Sequence, residues 1–301
     1  MRSFARALFF VAFVAGGRAL LVHREELSLS SSSEELASDF TAAAAAADEE
    51  PTREFLKSFE ICGACSKWQR YGEFADGGYL MCMDHRTNAP QLQAAFSLGV
   101  EHHDQWSYDV SEAFAVPVYQ LDCTVQSAPE DGCSQCHFFQ KCMKAADGYQ
   151  DNFPGRSWSL QEMLENTDLA DAAERSLIMK MDIESSEWAI FERENTDLLK
   201  KFDQIIVEFH GLRNSQKHEQ YLKAMQTILA SGFKVAHLHG NSFAGMYQVG
   251  DYKVPNVVEV TFTSGPARNQ CAKEQEYFRH LDHVNGASAG MFRELPMAVL
   301  P

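Results

Sequence analysis

The chain has 301 residues, enough for one large domain or two small ones. Asp and Glu number 42 against 26 Lys and Arg, a formal charge of -16. That balance repels phosphate backbones and anionic membrane surfaces, so it argues against nucleic acid and favours a neutral or cationic small molecule.

The N-terminus has the layout of a secretory leader. Arg2 and Arg6 precede the apolar run Ala7 to Ala15, and Gly16 and Gly17 follow. The run is shorter than the roughly 20 apolar residues that span a bilayer, so residues 1–22 are expected to be a cleaved signal peptide. An uncleaved anchor is the alternative, because Ala19 to Val22 prolongs the apolar character; without it, no stable membrane insertion is expected. Residues 23–51 read as a disordered linker of Ser, Ala and acidic residues with little to bury. Eight cysteines behind such a leader point to disulfides and to a secretory-lumen or extracellular location. The pairs Cys62–Cys65 and Cys133–Cys136 also have zinc spacing, the minority reading. Four cysteines between Cys123 and Cys142 are expected to form a local disulfide knot.

From Thr52 the composition becomes globular. Asp76 to Cys82 reads as a glycine turn followed by a strand. Ala94 to Val100 is a strand broken at Gly99, Trp106 to Ala115 a helix, and Val116 to Asp122 a strand ending in an acid. Strand, glycine, helix, strand and acid make the first half of a Rossmann-like unit, with the acid about the expected twenty residues after the glycine. No GxGxxG is present. Trp158 begins a helix that Ser157 or Ser159 would cap. Leu177 to Met181 is an apolar strand that stops at Asp182, Glu184 and Glu187, which delivers carboxylates to the carboxyl edge of a sheet. A helix over about Glu187 to Arg193 follows. Asp203 to His210 is another apolar strand with a polar exit. Lys217 to Ser231 is an amphipathic helix ended by Gly232. Lys234 to Asn241 and Val257 to Phe262 are the last strands. The alternation predicts an α/β fold with a mostly parallel sheet and helices on both faces.

These strand exits resemble the FkbM-like methyltransferases, and more closely a branch similar to methyltransferase-like protein 24. The resemblance is carried by DGGYLMC at Asp76 to Cys82, FSLGV at Phe96 to Val100, LIMKMDIESSEW at Leu177 to Trp188, IIVEFHGL at Ile205 to Leu212, HLHGNSF at His237 to Phe243 and VPNVVEVTF at Val254 to Phe262. It implies a Rossmann-like class I methyltransferase sheet whose last strand runs antiparallel, over a domain at 52–264 with a C-terminal extension at 265–301. It also implies S-adenosylmethionine as cofactor. Carried over, Gly99, Asp122, Asp182 and Glu184 would bind that cofactor: Gly99 by close backbone approach, Asp122 through the ribose hydroxyls. The family glycine within DxEGxE is Ser185 here, which costs stability if the position needs positive φ.

A hydroxyl acceptor needs a base. His210 and His239 follow apolar strands and would serve, with Glu208 to tune one of them. Glu187 and Asn241 would face the substrate, and no metal is assigned. The expected activity is O-methylation of a sugar or other small hydroxyl compound. Two alternatives stand beside it: a binding or structural protein on an inactive methyltransferase scaffold, and a glycosyltransferase that grips a metal with Asp182 and Glu184.

Overall fold

The computed structural model describes residues 50–74, 76–84, 91–149, 151–241 and 244–272. The expected leader, nearly all of the expected linker, Ser242, Phe243 and the tail beyond 272 lie outside the described residues. The chain divides after Ala43, and everything described belongs to the second unit, Ala44–Pro301.

A helical stretch α1 (50–57) leads to β1 (Ile61–Gly63) and the hairpin of β2 (Trp68–Gly72) and β3 (Gly78–Cys82). β4 (Ala94–Leu98), α2 (Gln105–Phe114) and β5 (Val118–Leu121) follow in the predicted pattern. The cysteine-rich segment holds β6 (Cys136–Phe139) and β7 (Cys142–Met143), and β8 (Ser157–Trp158) precedes α3 (Leu160–Asn166). Next come β9 (Leu177–Met181), α4 (Glu187–Glu192), α5 (Thr196–Leu199) and β10 (Phe202–His210). The chain continues through α6 (His218–Ala230), β11 (Lys234–Gly240), the hairpin β12 (Met246–Val249) and β13 (Tyr252–Pro255), β14 (Val257–Thr263) and β15 (Ala267–Ala272).

Seven strands form one sheet in the order β11-β14-β10-β9-β4-β5-β6. β6, β5, β4, β9 and β10 run parallel, and β14 is antiparallel to both β10 and β11. This is the mostly parallel sheet that the sequence pattern predicts, with the antiparallel last strand that the family resemblance implies. Parallel strands are covered on both faces, which is why β4, β9 and β10 read as continuous apolar runs and every residue in them is buried.

One face packs against α1, α3, α4 and α6. At its centre Trp188 stacks on Phe209 at 4.0 Å and on Tyr221 at 4.2 Å. The other face is covered by α2 and, where a second layer of helices was expected, by the β2–β3 hairpin. Gln204 clamps that hairpin: its side-chain amide donates to the Cys82 carbonyl at 2.7 Å and accepts from the Cys82 amide at 2.9 Å. Thr261 donates to the Leu80 carbonyl. Helix ends follow local chemistry. Ser159 and Glu162 form a reciprocal capping box on α3, while Ser157, the other candidate cap, donates to Asp151.

All eight cysteines are paired, as Cys62–Cys271, Cys65–Cys82, Cys123–Cys142 and Cys133–Cys136. Two of these close the local knot, and no thiolate is left for zinc. Residues 267–272, expected to open a C-terminal extension, form β15 against β1 and carry the Cys62–Cys271 bridge. Their polar, mostly exposed side chains gave no periodic pattern to read.

Candidate active site

Strand register builds the site. Leu98 pairs with Leu121 on one side and with Met181 on the other, so the next residues, Gly99, Asp122 and Asp182, meet at the carboxyl edge. Gly99 donates to the Leu121 carbonyl at 2.8 Å, and Asp182 donates to the Leu98 carbonyl at 2.9 Å. Gly99 has φ +79°, and a Cβ there would lie 1.7 Å from the Asp182 carbonyl oxygen. Only glycine lets the two loops approach this closely. They open onto a cavity of about 370 Å³. Gly99, Glu101, Asp122, Thr124, Asp182 and Glu184 give it a polar side, and Leu121, Met143, Phe153 and Ile183 an apolar one.

Asp122 is buried and saturated. Its Oδ2 accepts from the amides of Val100 and Glu101, both at 3.0 Å. Its Oδ1 accepts from the Thr124 amide at 2.7 Å and the Thr124 hydroxyl at 2.6 Å. All four lone-pair positions are therefore used within the chain. Burial pushes this carboxyl up, but the donors from Thr124, Glu101 and Val100 outweigh it and hold it below the usual range. The residue expected to meet ribose hydroxyls instead ties the loop after β4 to the end of β5.

Asp182 also belongs to a second group of side chains, under the hairpin. Tyr79 places its hydroxyl 3.2 Å from Asp182 Oδ2 and 3.3 Å from Glu208 Oε2. Asn241 donates to Glu208 Oε1 at 3.0 Å. Lys180 donates to the Gly99 carbonyl, stands 3.7 Å from Asp182 Oδ2 and lies over the Tyr79 ring. His210 Nδ1 is 3.2 Å from Glu187 Oε1, which also accepts from the Ile183 amide at 2.9 Å. His210 Nε2 faces Glu184 at 3.5 Å, Glu208 at 3.8 Å and Asp182 at 3.9 Å.

Burial, then the charge of Asp182, pushes Glu208 up to about 8. Burial opposes protonation of His210, but the hydrogen bond and charge of Glu187, with Glu208 and Asp182, carry it up to about 9. Tyr79 is raised well above its ordinary value, by burial first and then by Asp182 and Glu208.

The structure brings Gly99, Asp122, Asp182 and Glu184 to one cavity and Glu208, His210 and Asn241 into the buried group of side chains beside Asp182. Glu187, expected to face the substrate, is fully buried and holds the His210 ring, and among the described residues its Oε2 has no hydrogen-bond partner. The α4 backbone turns this carboxylate inward, where a strand continuing past Met181 would have sent it elsewhere. His239 stands apart as well. It pairs across the sheet with Glu259, which pairs with Glu208, so a whole strand separates His239 from Glu208. Sequence reasoning missed Tyr79, Lys180 and Glu101. A lysine inside an apolar parallel strand was the available cue for Lys180. Tyr79 and Glu101 had none.

A family model described as a methyltransferase domain matches residues 27–257. The chain belongs to this methyltransferase family. The sheet order, the antiparallel β14 and the glycine-bounded cavity at the carboxyl edge are those of an S-adenosylmethionine-dependent methyltransferase fold. No curated protein matches the chain. Among solved structures, a Streptococcus thermophilus protein provisionally named a hemolysin is similar at 15% identity and TM-score 0.28, over 64% of this chain and 73% of that one. TYW2 of M. jannaschii in complex with AdoMet is similar at 10% identity and TM-score 0.27, over 68% of this methyltransferase and 90% of that chain.

Proposed function

We propose that the protein is an S-adenosylmethionine-dependent O-methyltransferase of the FkbM-like class, acting on a sugar or other small hydroxyl compound in the secretory pathway. One observation carries the reading: Asp182 lines the cavity and also belongs to the buried carboxylate–histidine group, so donor and acceptor would meet at one side chain. The cavity fits the cofactor by size, by its apolar wall for an adenine, and by the carboxylates that suit a sulfonium cation. Gly99 and Asp182 would border its methionine part. Glu101 and Glu184 offer acceptors to its hydroxyl and amino groups, because Asp122 is committed to the loop.

When bound, the cofactor supplies an activated methyl group, so alignment provides much of the rate. The chain's own residues hold the acceptor and remove its proton. Asn241 and Tyr79 fix the Glu208 carboxylate, and Glu187 fixes the His210 ring. The hydroxyl proton would pass to the deprotonated form of the Glu208–His210 pair, which the raised values of both groups place on the alkaline side of neutral, as the carbon–oxygen bond forms and the carbon–sulfur bond breaks. His239, one strand further, would border the acceptor rather than the reacting atoms.

Lys141 is the one basic side chain among the residues lining the cavity, a poor match to a nucleotide diphosphate and hence to the glycosyltransferase reading. The four disulfides, and the absence among the described residues of a helix long and apolar enough to cross a membrane, support a lumenal or secreted setting. Calorimetry of the disulfide-intact chain should show binding of S-adenosylmethionine and its demethylated product. Incubation with methyl-labelled cofactor and a glycan panel should put label on a hydroxyl oxygen. A chain that binds neither cofactor form would be a scaffold and no enzyme.

A further inference from the structure

We propose that Asp182, Glu208 and His210 form a binding site for a divalent metal cation of the manganese–zinc class, placed to chelate an acceptor that carries a second oxygen beside its hydroxyl. The chelation rests on the methyltransferase reading; the cation site does not.

The first argument is distance. The nearest ligand atoms of the three side chains all lie within 4.8 Å of one another. His210 Nε2 is 3.8 Å from Glu208 Oε1 and 3.9 Å from Asp182 Oδ1. These spans are too long for hydrogen bonds. They suit donors around one cation: with bonds of about 2.1 Å, donors lie roughly 3 Å apart at right angles and roughly 4.2 Å apart when opposed. An imidazolium in the same place would be drawn to one carboxylate at about 2.8 Å. Nε2 instead stands back from three.

The second argument is orientation. His210 is nine-tenths buried, and among the described residues its Nε2 makes no hydrogen bond, although it faces three carboxylates. Its other nitrogen meets Glu187, a fully buried carboxylate anchored by the Ile183 amide. A carboxylate that accepts a hydrogen bond from Nδ1–H leaves the Nε2 lone pair facing inward, the arrangement that orients metal-binding histidines. Glu187 has no other evident task at this edge, and it lies outside the ring of donor atoms.

The third argument is charge. Asp182, Glu184, Glu187 and Glu208 converge on His210, and Lys180 is the cation beside them, 3.7 Å from Asp182. Asp76 and Glu259 also offer carboxylate oxygens within 4.8 Å of Glu208. A divalent cation among these carboxylates would offset their charge. One imidazole with carboxylate oxygens is a mixed donor set that accepts manganese or zinc. Glu184, whose side chain is 84% exposed, marks the open side of the site, where acceptor oxygens would enter. A cation there would acidify a coordinated hydroxyl.

The test uses the full chain with its disulfides intact and no methyl donor. Mn2+ is titrated by electron paramagnetic resonance and Zn2+ by calorimetry. The expected result is one site per chain and at least tenfold weaker binding in each of Asp182→Asn and Glu208→Gln. Glu184→Gln should weaken binding no more than about threefold, because water and salt screen an exposed charge. Thermal unfolding without metal confirms that the variants fold. Absence of binding by the wild type, or equal binding by Asp182→Asn and Glu208→Gln, overturns the proposal. A parallel titration with S-adenosylmethionine separates the two claims: cofactor binding without metal binding sinks only the cation site, and metal binding without cofactor binding sinks the transferase.

Discussion

Asp122 and Glu208 are two carboxylates on the same sheet edge with opposite fates. Asp122 accepts four hydrogen bonds, two of them from the loop after β4, and is held below the usual carboxylate range. Glu208 is buried as well, with Asn241 and a shared Tyr79 hydroxyl as donors, and is pushed up to about 8. Burial is common to both. The four donors around Asp122, against the like charge of Asp182 beside the more deeply desolvated Glu208, decide which one stays charged. The chain organises its cavity with the first and keeps the second electrostatically hungry, where chemistry would occur.

The comparison can be broken by removing what holds the first region together. Gly99→Ala should have the largest effect, because its Cβ would meet backbone 1.7 Å away at φ +79°. A loss of about 3 kcal/mol or more in urea unfolding is expected, with loss of cofactor binding. Wild-type stability in this variant would show that the two loops are not in contact.

Glu194 tests the burial half of the comparison away from the site. Among the described residues it has one donor, the Asn195 amide, and a buried Oε2 without a partner, and it is pushed up to about 7 by burial. Its folded value lies above its unfolded one, so the folded state binds the extra proton. Stability is therefore unaffected below about pH 4.5 and falls as pH rises to about 7. Glu194→Gln should stabilise the protein by roughly 2–3 kcal/mol above pH 7 and by almost nothing at pH 4. A pH-independent difference would reject this account.

Asp122→Asn tests the donor half with the opposite sign. Its folded value is depressed, so its contribution is present above the unfolded value and lost as pH falls through the folded one. The variant should cost about 2 kcal/mol at pH 7, since an amide cannot accept from all four donors, and the gap should narrow below pH 3. It should also weaken cofactor binding through the loop.

The smallest effect concerns Ser185, which has φ +84° next to Glu184 at +58°. Ser185→Gly should add about 1 kcal/mol by relieving the left-handed backbone. If melting is unchanged, the serine is not strained there.

Much of this was legible in the chain. The apolar strands and the carboxylates at their exits gave the sheet, its edge, and the cavity residues Gly99, Asp122, Asp182 and Glu184. β6 escaped because Cys136 to Phe139 sits in a polar, cysteine-rich loop without period. β15 escaped because its strand faces are mostly exposed. Glu187 was read as a substrate contact, since spacing does not reveal that α4 turns it onto His210. Tyr79 was hidden for a similar reason: the hairpin, clamped by Gln204 and Thr261, carries its hydroxyl to Asp182 and Glu208.

Local pattern therefore determined which residues could reach the rim. Hydrophobic period and turn chemistry act between near neighbours, and they set strand, helix and exit. The tertiary structure alone decided which of those carboxylates are satisfied and which are crowded. Donors and like charges come from residues far apart in the chain, such as Val100 to Asp122 and Tyr79 to Glu208. Electrostatic interaction depends on distance in space and on exclusion of water, and neither is written in the order of the residues.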